Sequence, residues 1–216
     1  QHMLGVPLER LTPMASDPDL HLFWQNYQEA LPGNVPGRRF PEMTLLLPFA
    51  GYVLEAKPDL LVISPEGKAT IFDWKTADRL PRREWLERRT QTRVYRFVLL
   101  HAGHGLNGGK AFAPEDISFV YWYAGFPDQP FRLDYSAKLV AEDESVLRLK
   151  IEEIASRAPD DFPLTPDVRR CRFCVYRSYC DRGEGAGEIE EIEDVPEAPE
   201  PSRVDLDFDQ IAEVEF

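Results

Sequence analysis

From Gly51 to Lys75 the chain reads GYVLEAKPDLLVISPEGKATIFDWK, and its apolar and polar residues fall into two runs with a period of two. The pattern predicts two β-strands joined by a tight turn at Ser64-Pro65-Glu66-Gly67-Lys68, where Pro and Gly stand at turn positions. Successive side chains of a strand point to opposite faces. Glu55, Lys57 and Asp59 therefore share one face of the first strand, and Leu54, Leu60 and Val62 the other. On the second strand Ile71, Asp73 and Lys75 point the same way. A hairpin of this length is expected to set Asp59 close to Asp73 and Lys75.

The rest of the pattern alternates helices with strands. Asp17-Pro18 reads as an N-cap with proline at the first helical position, followed by Leu20, Phe23, Tyr27 and Leu31 on one face and a stop at Pro32-Gly33. Residues 34–41 read as a loop, and Glu42 opens a strand from Met43 to Phe49. A helix is expected from about Arg82 to Leu100, with Trp85, Leu86, Tyr95, Val98 and Leu99 on its apolar side. Ile117 to Tyr123 and Phe131 to Tyr135 read as strands paired in a hairpin. Ser136 caps a long helix to about Ala158, with Leu139, Val146, Leu149 and Ile154 on one side. The expected class is α/β, a central mixed sheet flanked by helices. The expected division is a body over residues 1–160, a cysteine-bearing module over 161–182 and an acidic tail over 183–216.

Composition changes this picture in two places. The formal net charge of -13 argues against a nucleic-acid partner until it is divided along the chain. Residues 181–216 hold 14 acids and 2 bases, so the body is close to neutral and the acidity belongs to the tail. Residues 183–203, rich in Glu, Pro and Gly, have few groups able to bury surface and are expected to be disordered. Val204–Phe216 alternates acids with apolar residues, like a docking peptide or an internal mimic of DNA. The three cysteines lie within ten residues, a pattern that suits a metal or cluster site in a reducing cytoplasm better than a disulfide framework. No apolar run is long enough to span a bilayer. The chain opens at Gln1 and reads as lacking its native beginning.

Two carboxylates a few ångströms apart repel each other unless a cation lies between them. Asp59 and Asp73 with the Trp74 carbonyl offer hard oxygen donors of the kind that Mg²⁺ or Mn²⁺ takes. Lys75, on the same strand face as Asp73, is placed to orient water or to offset negative charge in a transition state. A solvated hairpin with a surface ion pair is the plainer alternative. Glu42 reads equally as a further ligand, as the partner of a basic neighbour or as a strand-end acid in water. After Lys75 come Arg79, Arg82, Arg83, Arg88, Arg89, Arg93 and Arg96 against only Glu84 and Glu87. Arginine grips phosphate bidentately, so Arg82, Arg83, Arg88, Arg89 and Arg93 are the candidate contacts to a DNA backbone, the alternative being a solvated helix face. The glycines of Gly103 to Lys110 do not make a P-loop, because the Gly-Lys-Ser/Thr ending is missing. Cys171, Cys174 and Cys180 leave one ligand open for zinc or a [4Fe–4S] cluster.

Pro58-Asp59, a spacer and Asp73-Trp74-Lys75 resemble the motif of PD-(D/E)XK nucleases. Gln91-Thr92-Arg93-Val94-Tyr95 matches the Gln-x-x-x-Tyr signature of their RecB-like branch. Cys171-x2-Cys174-x5-Cys180 is similar to the C-terminal triplet of the iron–sulfur members, which include CRISPR-associated RecB-like exonucleases and the AddB nuclease domain. The resemblance runs over roughly residues 40 to 180. It implies a restriction-endonuclease-like fold, Mg²⁺ or Mn²⁺ on Asp59 and Asp73, and Gln91 and Tyr95 beside the metal, touching DNA or positioning Lys75. It also implies a [4Fe–4S] cluster in the intact protein, whose fourth cysteine, like the catalytic His of those nucleases, lies upstream and outside this chain. His21 is not matched to that His. The expected activity is metal-dependent hydrolysis of DNA, end-directed or on single strands, in repair, recombination or CRISPR adaptation. A non-catalytic DNA-binding adaptor on a degenerate nuclease fold is the alternative, and recruitment of a protein partner through the acidic tail is a third role.

Overall fold

The longest apolar runs of the sequence form the middle of a five-stranded sheet. A computed structural model describes residues 6–7, 18–30, 34–77, 79–158, 161–168, 171, 174 and 176–182. Its strands are β1 (Arg38–Pro41), β2 (Leu45–Phe49), β3 (Tyr52–Ala56), β4 (Leu60–Ile63), β5 (Ala69–Lys75), β6 (Ile117–Tyr123) and β7 (Phe131–Asp134). Its helices are α1 (Pro18–Ala30), α2 (Arg83–Arg88), α3 (Thr90–Ala102) and α4 (Ala137–Ala155). The central sheet runs β1-β4-β5-β6-β7, and β2 pairs only with β3 in a separate ribbon. All neighbours in the central sheet are antiparallel except β5 and β6. A parallel pair needs a long crossover, which here carries α2 and α3 between the end of β5 and the start of β6. The architecture is mixed α/β, a central mixed sheet flanked by helices, as the pattern predicts.

Burial explains the layering. All four residues of β4 are buried, as expected of an inner strand covered on both faces. One face of the sheet packs Leu61, Ile71, Phe119 and Tyr121 with Leu86 and Leu99 of the helices. The other face holds Leu60, Val62 and Phe72, with Trp74 and Val120 against them. There Tyr27 of α1 meets Trp122 edge-on at 6.3 Å, and the Asn26 side chain donates to the Ala124 carbonyl at 2.7 Å. The β4–β5 turn closes through Ser64 and Lys68, with Gly67 at φ +83° supplying the left-handed residue.

Helices α3 and α4 are joined by buried charge. Asp143 accepts from Arg96 Nε at 2.6 Å and Arg96 Nη2 at 2.8 Å, and also from Arg93 Nη1 at 2.7 Å. Arg96 is 2% exposed and lies 4.6 Å from the Tyr135 ring centroid. A bidentate carboxylate is the geometry that lets a guanidinium be buried here.

The structure corrects several expectations. The expected first strand of the hairpin is two strands in two sheets: β3 ends at Ala56, and β4 starts at Leu60. Pro58 has no N–H to give a ladder, so the chain changes sheets there. Glu55 and Lys57 therefore do not share a strand face with Asp59. Residues 38–41 are the edge strand β1 rather than loop, and Glu42 ends it at φ +52° instead of opening the next. The expected helix from Arg82 to Leu100 is broken at Arg89, whose φ of -59° and ψ of 136° are extended. On α4, Leu149 and Ile154 face solvent, and Asp143 and Leu147 are the buried positions. The periodicity of an apolar stripe missed this because the buried contact is partly ionic. The Ser136 cap holds, its oxygen accepting from Leu139 N–H at 3.4 Å.

By contacts along the chain two units separate, residues 1–162 and 163–216. In the second, a 3-10 turn over Arg177–Cys180 carries the last cysteine. Among the described residues no helix is long and apolar enough to cross a membrane. The expectations for the irregular start at residues 1–16 (Val6 and Pro7 apart), the Asp17 cap, the stop at Pro32-Gly33, the acidic segment 183–203 and the peptide Val204–Phe216 lie outside the described residues.

Replacing Asp143 by Ala leaves Arg96 charged and buried without its carboxylate. The expected cost is about 3–5 kcal/mol, read as a fall in the urea midpoint at unchanged slope.

Candidate active site

Strand β5 is longer than β4, the neighbour on one of its two sides. The β4–β5 ladder ends at Leu60↔Phe72, so nothing on β4 pairs with Trp74. The side chain of Asp59, one residue before β4, takes that place: its Oδ2 accepts the Trp74 N–H at 2.7 Å. In a strand the N–H and C=O of one residue leave along the same edge, so the Trp74 carbonyl is presented on the Asp59 side. Asp73 and Lys75, on the other alternate of β5, face the helices. Lys75 Nζ lies 2.8 Å from Asp73 Oδ2, and Gln91 Nε2 of α3 donates to Asp73 Oδ1 at 2.7 Å. Asp73 is 4% exposed.

Burial drives the electrostatics of both acids. It pushes the Asp59 carboxyl up to about 6; the Trp74 amide pulls it down, the charge of Asp73 raises it further, Lys75 lowers it and Glu42 raises it. Burial also raises Asp73, opposed by Lys75, Arg89 and Gln91. Two acids that burial holds above their ordinary range, Asp59 raised further by the charge of Asp73, are a site that a cation relieves. Their oxygens and the Trp74 carbonyl are of the class that Mg²⁺ and Mn²⁺ accept, so the residues fit such an ion in kind. Among the described residues no three or more His, Cys, Asp or Glu side chains gather to hold a metal.

The same order of residues marks a family. The PD-(D/E)XK nuclease superfamily matches residues 12–181, well over half of the chain. The chain belongs to the PD-(D/E)XK nuclease superfamily. No curated protein matches the sequence. Among solved structures, the one titled "Crystal structure of SSO0001" is similar at 18% identity and a TM-score of 0.41. That match covers 72% of this chain and 66% of the other, so the chain spans a little under two thirds of that protein.

In this PD-(D/E)XK domain the remaining candidate residues separate into groups. Tyr95 stands one helical turn from Gln91, and its hydroxyl donates to the Lys57 carbonyl at 3.0 Å. It pins the segment that carries Asp59. Glu42 pairs with Lys57 at 2.9 Å, and its N–H donates to the Asp59 carbonyl at 3.1 Å. It is a neighbour of the site held by a basic partner, one of the three readings open to it. The arginines do not act as one basic face. Arg93 and Arg96 are committed to Asp143, and Arg83 reaches Glu87 at 3.0 Å and the Arg132 carbonyl at 2.7 Å. Arg82 and Arg88 are exposed, whereas Arg89 lies across the Trp85 ring at 4.9 Å and is half-buried.

Cys171, Cys174 and Cys180 are free thiols, all half-buried. Arg182 Nη1 donates to Cys171 Sγ at 3.0 Å and to the Thr165 carbonyl at 2.7 Å. The donors suit a soft metal or an iron–sulfur centre in kind, but three thiols fall short of the four such a cluster takes.

Sequence reasoning missed Tyr121 and Thr92. Tyr121 stands opposite Asp73 in the parallel ladder and shares a hydrogen bond with the Thr92 hydroxyl at 2.8 Å. The alternation Phe119, Tyr121, Tyr123 marks one face of β6, but nothing in the sequence shows which residue of β5 that face adjoins.

The raised carboxyls have a testable sign. Unfolded, Asp59 ionises at its ordinary value of 3.8; folded, at about 6, so the native chain holds its proton longer. Metal-free stability should therefore fall as pH rises from about 4 to 6 and level off above. Asp59→Asn should flatten that part of the profile, measured by thermal unfolding across pH in chelator; an unchanged slope in the variant would place the titration elsewhere.

Proposed function

We propose that the protein is a divalent-metal-dependent DNA nuclease of the RecB-like type, cutting single strands or ends. The observation that carries this reading is the convergence at the end of β5. Asp59 on the Trp74 amide, and Asp73 held between Lys75 and Gln91, bring the Pro-Asp, Asp-x-Lys and Gln-x-x-x-Tyr residues to one place. Asp59, Asp73 and the Trp74 carbonyl would hold Mg²⁺ or Mn²⁺, which supplies Lewis-acid stabilisation of phosphoryl charge and a more acidic water. Lys75 offsets the negative charge that builds on the phosphoryl oxygens as the water oxygen bonds to phosphorus and the ester P–O bond breaks. Gln91 fixes the Asp73 carboxylate through Oδ1, and Tyr95 fixes the Lys57 backbone beside Asp59. Arg82 and Arg88, both exposed, would hold the DNA backbone, with Arg83 on the same helix.

The iron–sulfur part of the reading rests on the cysteine spacing. Cys171, Cys174 and Cys180 would take three corners of a [4Fe–4S] cluster, with the fourth ligand outside this chain. A cytoplasmic place in repair, recombination or CRISPR adaptation, and a protein partner for the acidic tail, belong to the same proposal.

A second reading, a DNA-binding adaptor on a nuclease scaffold, draws on the donor count. Among the described residues only two carboxylates meet at the site, and any further ligand is backbone or Glu42. Mn²⁺-dependent cleavage of labelled single-stranded DNA separates the readings. Asp73→Ala and Lys75→Ala should each lose at least about 100-fold in rate while still binding DNA. Equal inertness of wild type and both variants, with tight DNA binding, would favour the adaptor.

Metal affinity gives an independent check. Mn²⁺ should raise the unfolding temperature of the wild type, more at pH 7.5 than at pH 5.5, because protons compete for Asp59 and Asp73. Asp59→Asn should abolish the rise.

A further inference from the structure

The break between α2 and α3 is unforced by sequence: Glu87-Arg88-Arg89-Thr90-Gln91 contains neither Gly nor Pro. The helix nonetheless opens at Arg89, and the opening is built in. The Leu86 carbonyl, which ends α2, accepts both the Arg89 N–H at 3.3 Å and the Thr92 hydroxyl at 2.6 Å. A helical Arg89 would continue the run of arginines around one cylinder. The extended Arg89 instead lies across Trp85, with its guanidinium carbon 4.9 Å from the ring centroid.

Tyr121 meets that guanidinium from the sheet. It is fully buried and stands beside Asp73 in the β5–β6 register. The Thr92 hydroxyl gives its one hydrogen to Leu86, so the Tyr121 hydroxyl donates to Thr92 and leaves its lone pairs to face Arg89, one of the groups that oppose the upward push of burial on the phenol. The Tyr121 ring also lies 6.0 Å from Lys75 Nζ. Phe119 stacks on Tyr121 at 4.5 Å, and Tyr95 on Phe119 at 6.1 Å, so the phenol sits at the end of a packed aromatic column. One side chain thus touches both cations that act on Asp73, Lys75 by its ring and Arg89 by its oxygen.

From this geometry we propose that Arg89 is a second catalytic cation of the site, beside Lys75, and that Tyr121 is the positioning residue that aims it. The inference rests on the nuclease reading above and deepens it. Asp59 and Asp73 bring two negative charges and Lys75 and Arg89 two positive ones, so the protein groups cancel. The positive charge of a divalent ion is then left to meet the phosphodiester and the extra charge that develops on its oxygens. A planar guanidinium held on one face by Trp85 and at its edge by Tyr121 costs little to reorganise when that charge appears, whereas a lysine on a free stem would not be aimed. Arg89 is thereby separated from Arg82 and Arg88, which are open to solvent and suited to backbone contact.

The test is a double-mutant cycle in Mn²⁺-dependent cleavage of labelled single-stranded DNA by the protein, with kcat and KM measured separately. Arg89→Gln should lower kcat by about 100-fold with KM changed by less than about 3-fold. Tyr121→Phe keeps the ring under Lys75 and removes only the oxygen; it should lower kcat by about 10-fold. Because Tyr121 acts through Arg89, the double variant should be no slower than Arg89→Gln alone. Should Arg89→Gln fail to fold, Arg89→Lys replaces it, with an intermediate loss of kcat and the same lack of additivity expected. Effects that multiply in the double variant, or that fall on KM with kcat intact, overturn the assignment while leaving the nuclease reading in place. A wild type without Mn²⁺-dependent cleavage overturns the nuclease reading and this assignment with it.

Discussion

A single backbone amide organises the site. β5 outruns the ladder of β4, and the Trp74 N–H would be left without a strand partner. A partly buried amide in that position must be satisfied, and the Asp59 carboxylate satisfies it. The consequence is electrostatic. An acid recruited to satisfy an inner strand is brought near a second acid on the preceding residue of β5, with Asp73 buried and Asp59 half-buried. A structural requirement of the sheet thereby gathers negative charge at the end of β5.

The groups around the two acids are arranged to hold that charge. Lys75 and Gln91 take one oxygen of Asp73 each, and Arg89 adds positive potential. Gln91 and Tyr95 can do this only if α3 is fixed. The helix is anchored on its far side by the buried Arg96–Asp143 pair, with Arg93 completing the carboxylate. The arginines of this segment therefore have three destinations: structural pairing, the interior of the site and the solvent-facing surface. One-dimensional charge counting treats them as equivalent, and the three environments give the same residue type different work.

The short ribbon β2–β3 shows the same economy. It packs its Leu45, Leu47 and Phe49 side inward, Phe49 meeting Phe97 of α3 edge-on at 5.2 Å. The chain leaves the ribbon at Ala56 and enters the central sheet at Leu60, and the three residues between carry the first acid of the site. Proline at the middle of that crossing ends one ladder and frees the next residue to bond through its side chain.

Local patterning was enough to locate the strands β5, β6 and β7 nearly to the residue, the turn at Gly67 and the Ser136 cap, and the resemblance singled out Asp59, Asp73, Lys75, Gln91 and Tyr95 as candidates. These are local matters: period, turn chemistry and spacing within a segment. Long-range packing set the rest: residues 51–63 split between two sheets, the helix after β5 opens at Arg89, Arg93 and Arg96 serve Asp143, and Tyr121 adjoins Asp73. Each depends on a contact between segments far apart in the chain, and no local periodicity encodes which partner a strand edge or a charged side chain will find.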